Sequence, residues 1–225
     1  AALVVHRKFH HRPEGLVPAR VDDAGRGLAR RGCEGLQLSI QPLDGAFEPR
    51  MPAAGTLRQA FEHLLDQALA HQFPGHPEFG TRLSKTNLKK VLDEVVRAVG
   101  ASENRLAVEQ GLRQDMRQIA VPLRLGEMGE THFVRGEHWK THFLRKHAQE
   151  GGQAMTVARL RAWTDDPQEL GLSRDVQNLV ILVFAAQTDR AFFRSGSPFS
   201  PSLDSLPDDV ELKTEVLPES GEWEV

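Results

Sequence analysis

The chain has 225 residues with a formal net charge of −3, 40% apolar and 26% charged residues. It is long enough to bury one large or two small cores, and neither its composition nor its overall charge marks a disordered chain or a nucleic-acid binder. Cys33 is the single cysteine, which excludes a disulfide within the chain and a cysteine-based zinc site and suits a reducing, cytoplasmic setting. No apolar run reaches the about 18–20 residues that cross a bilayer, and the start lacks a signal-peptide pattern, so no membrane partner is expected.

Charge is unevenly placed. Residues 80–146 carry 13 Lys/Arg against 8 Asp/Glu, and residues 147–225 carry 6 against 14. The opening Ala1-Ala2-Leu3-Val4-Val5 is strand-like and lacks an initiator methionine, as expected of a fragment that begins within a domain or at its edge. Residues 1–55 therefore read as an N-terminal strand and loop segment of a domain continued upstream. Leu3-Val4-Val5 and Leu36 to Ile40 are its strands, the second by apolar/polar alternation. Between them, His6 to Gly15 is a basic, histidine-dense loop that could hold a phosphate or a metal, or simply be solvated. His10 and His11 are neighbours that project differently, and no spacing fixes a third ligand.

Residues 56–152 read as a helical domain. Thr56 caps a helix through Ala70, with Leu57, Ala60, Phe61, Leu64, Leu65, Ala68 and Leu69 on one face. Pro74 and Pro77 make 73–80 a rigid connector. Ser84 or Thr86 opens a second helix carrying Leu88, Val91, Leu92, Val95, Val96 and Val99, closed by Gly100. A third helix is expected from Ser102 to Pro122 with Leu106, Val108, Leu112, Met116 and Ile119 inward. The same stretch carries Arg105, Arg113, Arg117 and Arg124, suited either to phosphate oxygens or to a solvated face beside Glu109 and Asp115. Residues 126–136 read as a break. Glu137 to His147 follows as a helix with Trp139, Phe143 and Leu144 inward, adding Lys140, Arg145 and Lys146 to the cationic set. His138 and His142, four apart, are a weak metal-chelating pair, since Trp139 stands where a metalloprotease glutamate would and no third ligand is fixed.

Residues 153–218 have the element order of a winged helix. Thr156 caps a helix in which Val157, Leu160 and Trp163 share a face. Ser173 then opens a longer helix that is apolar almost all round, from Val176 through Leu179-Val180-Ile181-Leu182-Val183-Phe184-Ala185 to Gln187. Nothing polar lies between Asn178 and Gln187, so base reading through its middle is not expected; backbone contacts near Arg174 remain open. Ala191 to Arg194 and Val210 to Leu217 read as wing strands, joined by a loop whose Asp208-Asp209 pair would repel phosphate. Residues 219–225 form an acidic tail with Trp223. The fold class expected is mainly α with small β elements, a helical region followed by a winged-helix-like C-terminal module.

Several stretches carry a family resemblance: Ala70 to Phe79, Ile119 to Gly126, Asp175 to Leu179 with Ala186 to Arg190, Asp209 to Leu212 and Val216 to Pro218. Across about residues 57–218 the chain resembles the C-terminal part of the large P-loop ATPases of bacterial phage growth limitation and BREX defence systems, of the PglY type. The resemblance implies an anti-phage role alongside a DNA methyltransferase and other components of a defence complex, with ATP and Mg used by the full-length protein. No G-x-x-x-x-G-K-[ST] motif occurs in this chain, so ATP hydrolysis is assigned to no residue here and no cofactor is expected in it.

The leading expectation is a non-catalytic accessory region that binds duplex DNA non-specifically or docks a partner protein. Its nucleic-acid candidates are Arg105, Arg113, Arg117, Arg124, Lys140, Arg145, Lys146 and Arg174. One rival is a metal-dependent hydrolase using His6, His10, His11, His138 and His142, which requires the first loop and the 137–147 helix to meet. Another is a winged-helix transcriptional regulator, disfavoured by the apolar long helix and the acidic wing.

Overall fold

A computed structural model describes residues 46–50, 55–101 and 103–214 with their side chains, and the backbone of 3–8 and 37–42. The chain divides into two compact units, Ala1–Pro74 and Gly75–Val225. In the first, β1 (Leu3–Lys8) pairs antiparallel with β2 (Gln37–Pro42), Leu3 opposite Pro42 and Lys8 opposite Gln37. His6, expected at the start of a loop, thus lies in a strand, because pairing with β2 continues past Val5. His10, His11, Cys33, Ser102, the 219–225 tail and the end of the last expected strand lie outside the described residues.

Helix α1 (Leu57–Gln72) starts where the Thr56 side chain accepts a hydrogen bond from the Gln59 amide. Of its expected inward face, Leu64 and Ala68 are buried, whereas Leu57, Phe61, Leu65 and Leu69 are exposed. Within this unit the described cover is the short segment 46–50: the Phe47 ring lies 5.1 Å from that of His71, and the Gln67 side chain makes 2.7 and 3.0 Å hydrogen bonds with the Arg50 backbone.

The second unit is built around one buried helix. Helix α2 (Lys85–Val99) begins with a reciprocal Ser84/Asn87 capping box and buries Leu88, Val91, Val95 and Ala98. The expected third helix is instead a strand, β3 (Arg105–Ala107), a short helix, α3 (Gln110–Asp115), and a π-helical turn, Met116–Ala120. Asn104, at φ 55°, turns the chain into β3, whose residues pair with β5, so Leu106 packs from a strand rather than a helix. The expected break is a hairpin of β4 (Gly126–Met128) and β5 (His132–Arg135), giving an antiparallel sheet in the order β3-β5-β4. A Cβ at position 126 would stand 2.3 Å from the Val134 carbonyl oxygen, so the tight crossing requires glycine.

Helix α4 (His138–Gln149) buries Trp139, His142 and Phe143, while Leu144, expected inward, is 36% exposed. Helices α5 (Val157–Thr164) and α6 (Arg174–Gln187) follow, and α6 packs against α2, α4 and α5. The Phe143 ring meets Phe184 edge to face at 5.1 Å, so the core is continuous across Gly151-Gly152. A second antiparallel sheet has the order β7-β6-β8, from β6 (Arg190–Arg194), β7 (Ser197–Pro198) and β8 (Glu211–Thr214). The loop before β8 is no solvated wing: Leu203, Leu206 and Val210 are buried on the core. The fold is therefore mixed, with six helices and two small three-stranded sheets among the described residues besides the β1-β2 pair. No described helix is long and apolar enough to cross a membrane.

Phe143 is fully buried between Phe184, Trp139 and Trp163. Phe143→Ala is expected to lower the unfolding free energy by about 3–5 kcal/mol, read from urea unfolding; a loss under about 1 kcal/mol would mean that this cluster is not packed as described.

Candidate functional site

The cationic candidates fall into two groups. The Arg113 Nε donates to the Val108 carbonyl at 2.9 Å, and an Arg117 Nη donates to that of Gly129 at 2.6 Å. Lys140 pairs with Glu137 at 3.1 Å, Lys146 with Asp166 at 2.7 Å, and Arg174 with Asp208 at 2.8 Å. Arg145 donates to the His142 Nδ1 at 3.3 Å. Arg105 and Arg124 are exposed and make no side-chain hydrogen bond or ion pair among the described residues. The helix spacing that puts Arg113 and Arg117 on one face also brings each within reach of a loop carbonyl, and these bonds hold α3 and the π turn to their flanking segments.

His138 and His142 stack with rings parallel and 6.3 Å apart. The His142 Nε2 is 2.7 Å from the buried Trp163 carbonyl oxygen, to which it donates, leaving Nδ1 to accept from Arg145. Burial, with Arg124, His142 and Arg145 nearby, holds the His138 imidazole below its ordinary pKa. No group of three side chains able to hold a metal ion occurs among the described residues.

The polar groups of α6 are similarly engaged. Asn178 is 4% exposed, accepts from Arg161 at 2.6 Å and donates to the Leu203 carbonyl at 2.7 Å. Gln187 is 8% exposed and donates to the Gly136 carbonyl at 2.8 Å. Neither can reach a base edge. Arg161, which the sequence reading does not single out, is the centre of this network: it also donates to the Leu206 carbonyl at 2.8 Å and to Asp208. Asp208 bridges Arg161 and Arg174, and Asp209 pairs with Arg194 at 2.9 Å, so this acidic pair is charge-compensated rather than an open phosphate-repelling edge. A lone arginine at the third position of an apolar helical face, Leu160-Arg161, was the available signal.

This network holds the path of 199–210, and that path forms one side of a groove. A groove of about 890 Å³ opens between α2, α6 and residues 201–204. Leu92 and Val96, one turn apart on α2, form its floor with Leu182 and Leu203. Leu182 is the one residue from Leu179 to Ala185 that is not fully buried, and it surfaces here. The rim carries Lys85, Lys89, Lys90 and Arg97. Lys85 pairs with Asp204 at 2.6 Å across the groove and Arg97 with Glu94 at 2.6 Å, while Lys89 and Lys90 have no ion pair among the described residues. The hydrogen bond to Asp204 raises the Lys85 pKa above its ordinary value. The loop before α2 enters the helix through Ser84-Lys85-Thr86, with serine where a phosphate-binding G-x-x-x-x-G-K-[ST] motif has its second glycine.

Residues 86–185 match the family described as BREX System ATPase PglY protein 5th domain. No solved structure matches the chain.

The Arg174 hydrogen bond, aided by Arg161, holds the Asp208 carboxyl below its ordinary value. A carboxylate with a depressed folded pKa contributes stability that is complete above its unfolded value of about 3.9 and is lost as pH falls through the folded one. Asp208→Asn should therefore lower the thermal midpoint at neutral pH, with the gap to the native chain closing below about pH 4. A gap that is absent, or that persists unchanged in acid, would contradict this role for the carboxylate.

Proposed function

We propose that this chain serves a BREX phage-defence system as a non-catalytic module that docks another component of the complex, a reading supported by the match of residues 86–185 to the family described as BREX System ATPase PglY protein 5th domain. The observation that carries the reading is the engagement of the groups a DNA reader would need. Asn178 and Gln187 of α6 are buried in internal hydrogen bonds, and six of the eight cationic candidates, Arg113, Arg117, Lys140, Arg145, Lys146 and Arg174, already have partners in the fold. Among the described residues, the cation-rimmed groove beside α2 offers a surface for a macromolecule.

On this reading α5, α6 and the β7-β6-β8 sheet form a winged-helix-like unit turned to protein contact. Its long helix is a packed axis, and its wing loop is spent on forming the groove. On the same reading ATP and Mg would be used elsewhere in a full-length protein: the sequence has no G-x-x-x-x-G-K-[ST] motif, and no hydrolytic step is assigned to its residues. The DNA alternative rests on Arg105 and Arg124, two exposed cations that would give a weak and salt-sensitive contact.

Co-purification of the chain with each other BREX component in turn, alongside titration with duplex DNA over a range of salt, separates the two. The docking reading expects at least one component to be retained and duplex binding to be absent or unresponsive to salt. No retained component, together with an affinity for duplex that falls linearly on a log–log salt plot, would contradict it.

A further inference from the structure

We propose that the groove between α2, α6 and residues 201–204 receives an acidic amphipathic helix of the partner protein. This rests on the docking reading and specifies the chemistry of its site. The floor is aliphatic, Leu92, Val96, Leu182 and Leu203, and Val96, one turn after Leu92 on α2, is 40% exposed while its neighbour Val95 is fully buried. An uncovered aliphatic strip of this kind fits an apolar stripe at i, i+4 spacing. Its length suits a helix: from Lys85 to Arg97 α2 rises about 18 Å, or about three turns of an occupant lying alongside.

The rim selects the sign of the occupant. Four cations, Lys85, Lys89, Lys90 and Arg97, line the groove against two carboxylates, Asp93 and Asp204, on a chain whose net charge is −3. With Lys85 paired to Asp204 and Arg97 to Glu94, Lys89 and Lys90 are the lining cations that have no ion pair among the described residues, available to glutamates flanking the occupant's apolar stripe. The Lys85–Asp204 pair ties the 201–204 lip to the start of α2 and sets the width of the opening. The same lining argues against single-stranded nucleic acid: it contains no aromatic side chain on which a base could stack.

The test uses the whole chain and a fluorescein-labelled helical peptide of about three turns, leucines along one stripe and glutamates elsewhere, followed by fluorescence anisotropy. Controls are a scrambled peptide of the same composition, a lysine-for-glutamate version and an oligo-dT strand. The proposal expects saturable binding of the acidic helix, at least about tenfold weaker binding by each control, which is about 1.4 kcal/mol, and a comparable loss for Lys89→Glu with Lys90→Glu and for Val96→Asp. These positions are exposed, and unchanged thermal midpoints verify that the variants fold. Absence of saturable binding, equal binding of the scrambled peptide, or indifference to the substitutions would overturn the proposal. If the peptide fails while a BREX component is retained in co-purification, the groove assignment falls and the docking reading stands; failure of both removes both.

Discussion

The burial of α6 is the constraint on which the second unit depends. Leu179, Val180, Ile181, Val183, Phe184 and Ala185 point to all sides of one helix and are each at most 3% exposed. A helix that is apolar all round needs cover on every side. α2, α4 and α5 supply it, with Phe143 against Phe184 and Trp163 closing the α4–α5 side. The same burial bears on the role of this helix, because a helix surrounded by protein cannot lie in a DNA groove.

Electrostatics completes the cover. The last side of α6 is reached by 199–210, a segment with little secondary structure of its own, held by side chains rather than by a ladder. Arg161 gathers Asn178, Asp208 and the Leu206 carbonyl, while Asn178 holds the Leu203 carbonyl. A buried guanidinium is tolerated when an anion faces it and most of its donors are bonded; Arg161 leaves its Nε without a partner, while its two Nη groups make the bonds that place Leu206 and, through Asn178, Leu203 on the core. The acidic C-terminal half is thus partly a structural counterweight to Arg161, Arg174 and Arg194. The lip that this segment forms against α2 leaves Val96 and Leu182 open beneath a cationic rim.

Helices with full amphipathic periods and clear caps could be read from the sequence: α2 from Ser84, α5 from Thr156 and the axial role of α6 from its uninterrupted apolar run. The three-residue strands could not. Arg105-Leu106-Ala107 alternates too briefly to compete with a helical reading of Leu106, Leu112, Met116 and Ile119, and its state is decided by β5, about 27 residues later, whose pairing is non-local. Gly126 marked a break without revealing that its missing side chain permits a strand crossing. At the candidate site, the cations were visible as residues, but their partners are mostly main-chain carbonyls and distant carboxylates that no spacing rule reports. The groove was hidden for the same reason, since its two sides, α2 and residues 201–204, meet only in the fold. Asp208 read as a repelling edge because its two arginines come from α5 and α6.

Residue-resolved amide hydrogen exchange on the whole chain reads out whether α6 is a buried axis from which the rest of the unit is hung. Amides from Leu179 to Ala185 should exchange only through global unfolding and be the slowest in residues 75–214, with those of α2 facing them close behind. Exchange of the α6 amides at the rate of an exposed helix, while α2 or α4 stays protected, would contradict it.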